Sequence, residues 1–426
     1  MRLTVNKITV DISNNCLTEN KKINKHEDLL NFIEQKKSYE TGLSNLEINK
    51  ALGLYVSFNI TSTSNIPANN NSAVDGYAIR CSDLKENKEN TFNVYRTIIA
   101  GDSKTYILGE AEAIEIFTGS IVPKGADAIV MKEDIVILNN NQIKIDKSLE
   151  INQNIRKAGE DIKKNQLVLN KNHQLNEIDI GMLASLGLRN INVFNQLNIG
   201  IISTGNEIKR PGEILEQSES YDSNYYTINN ALKKLPVTIY DYGVIKDNPL
   251  DLQHILEKST EECDLIITTG GVSQGGEDHV IKTINKYGDL DIWQLAIKPG
   301  RPMGLGTFNQ KNILMLPGNP VASIICLYLY GFPLIRRLGN GLVRTPQRFL
   351  LPAGFSLKNK KLGRREFLRG KICYEDNILN IRKYENSGSA ILSSLRLTDG
   401  LIEINEETEN IYEGDLIKFI PFNEFY

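Results

Sequence analysis

Residues 264–288 read DLIITTGGVSQGGEDHVIKTINKYG. LIITT is a run of apolar and β-branched residues, and a glycine pair follows it, which is how a buried strand meets a turn. Further on, Val280, Ile281 and Ile284 recur at helical spacing. A strand, a glycine-rich turn and a helix in so short a stretch predict one βα unit of a sheet covered on both faces. The same rhythm extends outward in both directions. LNIGIIST (197–204), VTIYDYGVI (237–245) and NILML (312–316) read as strands. YDSNYYTINNALKKL (221–235), NPLDLQHILEKST (248–260) and VASIICLYLYGFPLI (321–335) read as helices. Alternation at these lengths predicts a doubly wound, mainly parallel sheet over 195–340, with its ligands at the carboxyl ends of the strands.

The flanks differ in pattern. Residues 1–24 are polar, rich in Asn and Lys, and form an N-terminal extension. KHEDLLNFIEQ (25–35) and EIDIGMLASLGL (177–188) have helical spacing. LEINKALGLYVSFNI (46–60) starts as a second helix and runs into a strand at Tyr55. Between them, short β-type runs alternate with Gly, Pro, Asn and Lys turns over 56–154. An elongated helical domain, 25–55 plus 155–194, interrupted by an inserted β-rich domain, 56–154, is the simplest partition. After 341 come short alternating runs, among them LGRREFLRGKICYED, NILNIRKYEN, AILSSL and GLIEI. They predict a C-terminal β-barrel-like domain over 341–426.

With 49 Lys plus Arg against 52 Asp plus Glu, the net charge is -3, so no large basic field is offered to nucleic acid or to an anionic membrane. The five cysteines include no CxxC pair, which argues against a zinc ribbon and for isolated thiols in a reducing compartment. The first residues lack a secretory signal pattern. The apolar stretch 321–335 is short for a bilayer and contains Gly331 and Pro333. Together these features predict a cytoplasmic protein.

Chemistry concentrates in the loops after the strands: STGNE with Glu207, VIKDNP with Asp247, TTGGVSQGGEDH with Asp278, IKPGRP with Lys298 and Arg301, and LPGNP with Pro317 and Pro320. Gly270, Gly271 and Gly275 permit sharp turns that aim backbone N–H groups at one point, and a helix start adds its positive end. That arrangement suits phosphate. Carboxylates beside phosphate require a cation between them, and Mg²⁺ uses one or two carboxylates plus phosphate oxygens. Glu207, Asp247 and Asp278 are therefore candidate metal ligands. Taken singly, Asp278 also reads as a helix cap and the glycine pair as an ordinary turn. GVSQG places Ser273 in a nucleophile-elbow pattern. His279 is the one histidine after Ser273, six residues on in the same helical segment, too close to complete a triad.

IPANNNSAVDGYAIR (66–80), IFTGSIVPKGADAIV (116–130), NIRKAGEDI (154–162), ISTGNEI, YDSN, TTGGVSQGGEDHV, AIKPGRPMGLG and LPGNPVAS follow one another in the chain. In content and order they resemble the molybdopterin molybdenumtransferase family, to which the E domain of gephyrin is related. The resemblance runs from about residue 27 to the C-terminus. It implies that molybdate is inserted into adenylylated molybdopterin, with Mg²⁺-dependent hydrolysis of the phosphoanhydride and release of AMP. It further implies a homodimer with the active site between subunits, and a molybdopterin adenylyltransferase as a partner. Carried over motif by motif, the site comprises Asp75, Thr118, Glu207, Asp247, Asp278 and Lys298, with Ser273, Arg301, Pro317, Pro320, Arg369 and Ser389 binding substrate. A turn-forming role for Asp75 stands beside the functional one. Three departures are visible: Gln294 replaces a lysine often found four residues before Lys298, Asn69–Asn70 replaces Phe-Asp, and Val74 replaces Met. These departures keep two alternatives open, a molybdopterin-binding scaffold without catalysis and a tungstate-preferring paralogue. A generic nucleotide-using α/β enzyme is the default without the resemblance.

Overall fold

The computed structural model describes residues 24–86, 89–139, 141–272, 279–375, 377–386 and 388–426. Ser273, Gly275 and Asp278, like the extension before residue 24, lie outside the described residues. The chain divides into two units, one made of residues up to Glu40 and Gln196–Tyr426, the other of Thr41–Asn195.

In the first unit the elements, in chain order, are α1 (His26–Gln35), β1 (Leu197–Thr204), α2 (Ser223–Leu232), β2 (Val237–Ile245), α3 (Pro249–Glu262), β3 (Leu265–Thr269), α4 (His279–Tyr287), β4 (Asp289–Trp293), β5 (Ile297–Lys298), β6 (Gly304–Phe308) and β7 (Lys311–Leu316). Then come α5 (Pro320–Leu338), β8 (Phe349–Pro352), β9 (Arg365–Glu375), β10 (Ile378–Lys383), β11 (Gly400–Ile404) and β12 (Leu416–Pro421). The first sheet has the order β2-β1-β3-β7-β6-β4, parallel from β2 to β7 and antiparallel beyond. β1 is followed in the chain by β2 on one side and β3 on the other, so the winding reverses between β1 and β3. A crevice opens at such a point, outside the carboxyl ends of the strands. β3 is buried throughout, whereas the edge strand β2 is half-exposed. One apolar cluster, with Ile201, Ile267 and Leu314, covers one face, and another, with Ile202, Ile266 and Met315, covers the other. Continuous apolar runs are the sequence trace of that double coverage.

α5 is long and apolar enough by composition to cross a membrane, but 89% of its most apolar window is buried within the protein. Burial, rather than the shortness expected of 321–335, identifies it as a core helix. Cys263 and Cys326 are buried and carry no disulfide.

The second sheet runs β5-β9-β11-β12-β8, with β10 off β9. A bridge from Ala353, just past β8, to Ile381 in β10 draws its ends together into a half-barrel. AILSSL, expected to be extended, forms the helical turn Ser393–Arg396 instead.

α1 belongs with this unit, not with the elongated domain to which sequence alone assigns it. Its buried residues His26, Leu29 and Ile33 share one face, and Leu29 and Ile33 join the core that contains α5. The His26 imidazole lies 2.7 Å from the Tyr330 hydroxyl. Burial, then the charge of Arg365, pushes its pKa from 6.5 down to about 4. The unfolded chain thus takes up a proton near pH 6.5 that the folded protein refuses until about pH 4. The stabilisation is complete above pH 6.5 and is lost as the pH falls towards 4; its full size is about 3 kcal/mol. Thermal unfolding of wild type and His26→Phe across pH 4–7 should give a flatter profile for the variant. Parallel profiles would show that His26 is not the group responsible.

In the second unit the sheet order is Ala128–Met131, Gly76–Ile79, Glu112–Ile116, Thr91–Ile98, Gln142–Lys144, Val136–Asn139. The chain enters and leaves this region through paired arms. Leu43–Glu47 pairs with Asn190–Phe194, Ile60–Thr61 with Leu167–Leu169, and Asn71–Ser72 with Ile155–Arg156. The second helix expected from residue 46 does not form: Leu46 and Glu47 end a strand, a 3-10 turn follows at Ile48–Lys50, and residues 51–54 are turn and loop. At the expected strand start, Tyr55 and Val56 form isolated bridges, to Gln174 and Val193, in place of a strand. Pairing with a partner almost 150 residues away overrides the local helical pattern. Glu177–Ser185 is helical as expected, with Asn176 and Asp179 capping it reciprocally.

Candidate active site

A cavity of about 920 Å³ opens at the reversal between β1 and β3. Glu207, Asp247, Gly270, Gly271, Pro317 and Pro320 all line it, so four of the predicted loops converge. Two of these loops are tied reciprocally: the Asn206 N–H donates to Asp247 Oδ2 at 3.2 Å, and the Asp247 N–H donates to Asn206 Oδ1 at 3.1 Å. The glycines after β3 have a packing cause. Gly270 has φ +90°, and a Cβ there would lie 2.6 Å from the Thr204 carbonyl oxygen at the end of β1. Only glycine lets the two strand ends approach so closely.

Two acidic residues that sequence alone misses line the same cavity, Glu219 and Asp222. Asp222 sits in the quoted YDSN motif, which was the available signal. It is 3% exposed and caps α2, its Oδ1 accepting the Tyr225 N–H at 2.9 Å. Arg210 stands 3.8 Å from its Oδ2, lies over the Tyr225 ring and pairs with Asp241 at 2.7 Å. The Arg210 clamp thus fastens the loop that follows β1 to the start of α2.

A smaller cavity, about 220 Å³, adjoins the first and shares Pro302, Pro317 and Asn319 with it. Lys298, Arg301 and Ser389 line it, together with Arg364, which sequence alone also misses. Arg301 lies 3.5 Å from the Gln294 side-chain oxygen. Charge is sharply divided. Among the described lining residues, the larger cavity has four carboxylates and no Lys or Arg, while the smaller has three cations and no acid.

Arg369 lines neither cavity. It is 2% exposed, and its guanidinium donates to Ser394 Oγ and to the carbonyls of Asn386 and Gly388. It holds the loop that carries Ser389, whose own carbonyl accepts the Val321 N–H at the start of α5. Arg369, implied by the resemblance to bind substrate, supports that loop in this structure. Burial pulls its pKa down.

Asp75 and Thr118 belong to the other unit and meet there. The Thr118 N–H and hydroxyl both donate to Asp75 Oδ1, at 2.8 and 2.7 Å. These two bonds, the backbone one first, hold the Asp75 carboxyl below its ordinary range. The hydroxyl of Thr118, a site residue implied by the resemblance, is here donated to Asp75.

Among the described residues no group of three or more His, Cys, Asp or Glu is gathered tightly enough to hold a metal ion. The donors lining the larger cavity are nonetheless all oxygen, without thiol or imidazole. That composition fits Mg²⁺ bound by one or two carboxylates plus substrate phosphate, rather than zinc.

Fold and site define a multi-domain protein whose doubly wound core carries a carboxylate-lined cavity at its switch point. Three family models match in succession: the MoeA N-terminal region (domain I and II) over 22–187, the probable molybdopterin binding domain over 200–337 and the MoeA C-terminal region (domain IV) over 351–422. The molybdopterin molybdenumtransferase of Haemophilus influenzae is 33% identical over 90% of this chain and 95% of its own. Gephyrin of Dictyostelium discoideum is 27% identical over 91% of this chain and 60% of its own. The crystal structure of a molybdopterin biosynthesis MoeA protein from Pyrococcus horikoshii superposes with a TM-score of 0.80 at 26% identity, covering 94% of this chain and all of that one. The chain belongs to the molybdopterin molybdenumtransferase family, the transferases of molybdenum cofactor biosynthesis.

Proposed function

We propose that the protein inserts molybdate into adenylylated molybdopterin and hydrolyses the phosphoanhydride to release AMP. The observation that carries this reading is the division of charge between two adjoining cavities. A chamber whose described charged lining residues are all acids repels a diphosphate unless a cation accompanies it. A small chamber lined by Lys298, Arg301 and Arg364 suits a tetrahedral oxyanion dianion. Mg²⁺, when bound, neutralises charge on the phosphoanhydride oxygens. Glu207 and Asp247 are the described residues that would hold it, and Asp278 is a third candidate outside them. Pro317 stands on the wall shared by the chambers, and Pro320 lines the larger one from the first turn of α5, where its missing N–H is harmless. Asp75 and Thr118 present a preformed acceptor–donor pair. In the proposed homodimer they serve the cavity of the second copy, and a molybdopterin adenylyltransferase delivers the nucleotide substrate.

Purified protein given adenylylated molybdopterin, Mg²⁺ and molybdate should release AMP only when all three are present. Absence of AMP above background from folded protein would leave a molybdopterin-binding scaffold as the better account. Replacing molybdate with tungstate in the same assay measures the oxyanion preference. Mixing Asp75→Asn with Asp247→Asn protein should restore part of the activity that each lacks alone, since a mixed dimer retains one intact site.

A further inference from the structure

Two cations of the smaller cavity, Lys298 and Arg364, are contacted by buried side chains outside the site described so far. β5 pairs in parallel with β9, which sets Lys298 directly across from Glu366. The Lys298 ammonium is 3.5 Å from both Glu366 oxygens. That is the long limit of hydrogen bonding, so the ammonium keeps donors for another acceptor. The Lys298 side chain is 52% exposed, and that of Glu366 is 9% exposed. The carboxylate is therefore fixed while the lysine head can turn.

Lys360 completes the cluster. It is 6% exposed, and its ammonium donates to the Arg364 carbonyl at 2.9 Å and the Lys361 carbonyl at 3.3 Å. Burial lowers its pKa, the charge of Glu366 acts to raise it, and that of Lys298 acts to lower it. Lys298 is thus paired with Glu366, and Lys360 with main-chain carbonyls. The first lysine lines the smaller cavity, and the second ties down the loop that carries the cavity's Arg364.

We propose that Glu366 is the resident counter-ion of Lys298, displaced in part when an oxyanion binds, and that Lys360 is a positioning residue that sets Arg364 at the cavity wall. Together they tune oxyanion affinity from the C-terminal half-barrel. This rests on the smaller cavity being the oxyanion site. A purely structural cluster would predict that removing any member only loosens the loop.

The test uses the full-length protein, with molybdate as the probe, read by calorimetric binding and by AMP release against molybdate concentration. Glu366→Gln leaves Lys298 uncompensated and should tighten molybdate binding by roughly threefold at low salt, an effect that shrinks as salt is added. Misfolding does not tighten binding, so this variant is informative even if others are damaged. Lys360→Met should raise the KM for molybdate by about 10-fold, with a smaller change in kcat and none in the KM for the nucleotide substrate. Lys360→Arg should recover most of that loss. Lys298→Ala identifies which statement has failed. If it leaves molybdate binding unchanged, the cavity is not the oxyanion site and the tuning role falls with it. If it weakens binding while Glu366→Gln fails to tighten it, the tuning role alone is overturned.

Discussion

Arg365→Met is expected to destabilise the unit containing the doubly wound sheet by about 3–5 kcal/mol, lowering its melting temperature by roughly 10 °C. Arg365 lies at the start of β9, its side chain 12% exposed. Its guanidinium meets Glu403 at 2.9 Å, Glu406 at 3.0 Å and Glu27 in α1. Glu403 has a side chain only 1% exposed and is also held by Arg348 at 2.7 Å. Removing Arg365 leaves Glu403 and Glu406 buried with too few partners, and the desolvation they suffered is no longer offset.

The contacts differ in weight. Glu27 is 53% exposed, so Glu27→Gln should cost less than about 1 kcal/mol. Glu406 is 11% exposed, so removing it together with Arg365 should recover part of the loss. Urea unfolding of wild type, the single variants Arg365→Met, Glu406→Gln and Glu27→Gln, and Arg365→Met/Glu406→Gln supplies the comparison. A cost for Arg365→Met no larger than that for Glu27→Gln would show that the network contributes nothing beyond a surface pair.

That network also shows where sequence is a poor guide. β1, β3 and β7 are covered on both faces, so their apolar character is continuous along the chain and readable from it. α1 carries an ordinary amphipathic pattern, and nothing in that pattern says which sheet it covers. Its partners, Tyr330 and Arg365, come from 300 residues further on. Leu43–Glu47 is a strand because Asn190–Phe194 lies beside it, a pairing that the local residues do not encode. The site divides in the same way. Glu207 and Asp247 follow strands of a parallel sheet directly, so topology alone brings them to one edge. Glu219 lies at the far end of a loop, and Arg364 lies in the next domain, so neither has a local signal. Arg369 stands in a matching motif, yet only its burial and its two main-chain acceptors show that it supports a loop.

Asp247→Asn is expected to reduce AMP release by on the order of 100-fold, the scale seen when one electrostatic contact to a transition state is removed. The substitution separates charge from architecture. Asp247 Oδ2 accepts the Asn206 N–H, and its own N–H donates back to Asn206 Oδ1. Asparagine presents an oxygen in the same place and leaves the backbone donor unchanged, so the two loops stay tied. What is lost is one negative charge facing a chamber lined by four carboxylates and no described cation. If that charge serves a divalent cation, the Mg²⁺ concentration for half-maximal activity should rise, and excess Mg²⁺ should restore part of the rate. If it serves only the loop, Asp247→Asn should resemble wild type while Asn206→Ala is impaired. Melting temperatures close to wild type are expected for Asp247→Asn, because the residue is only half-buried at the cavity and relieving like-charge crowding offsets a weakened bond. A variant that keeps wild-type AMP release at limiting Mg²⁺ would remove the acidic chamber from the chemistry.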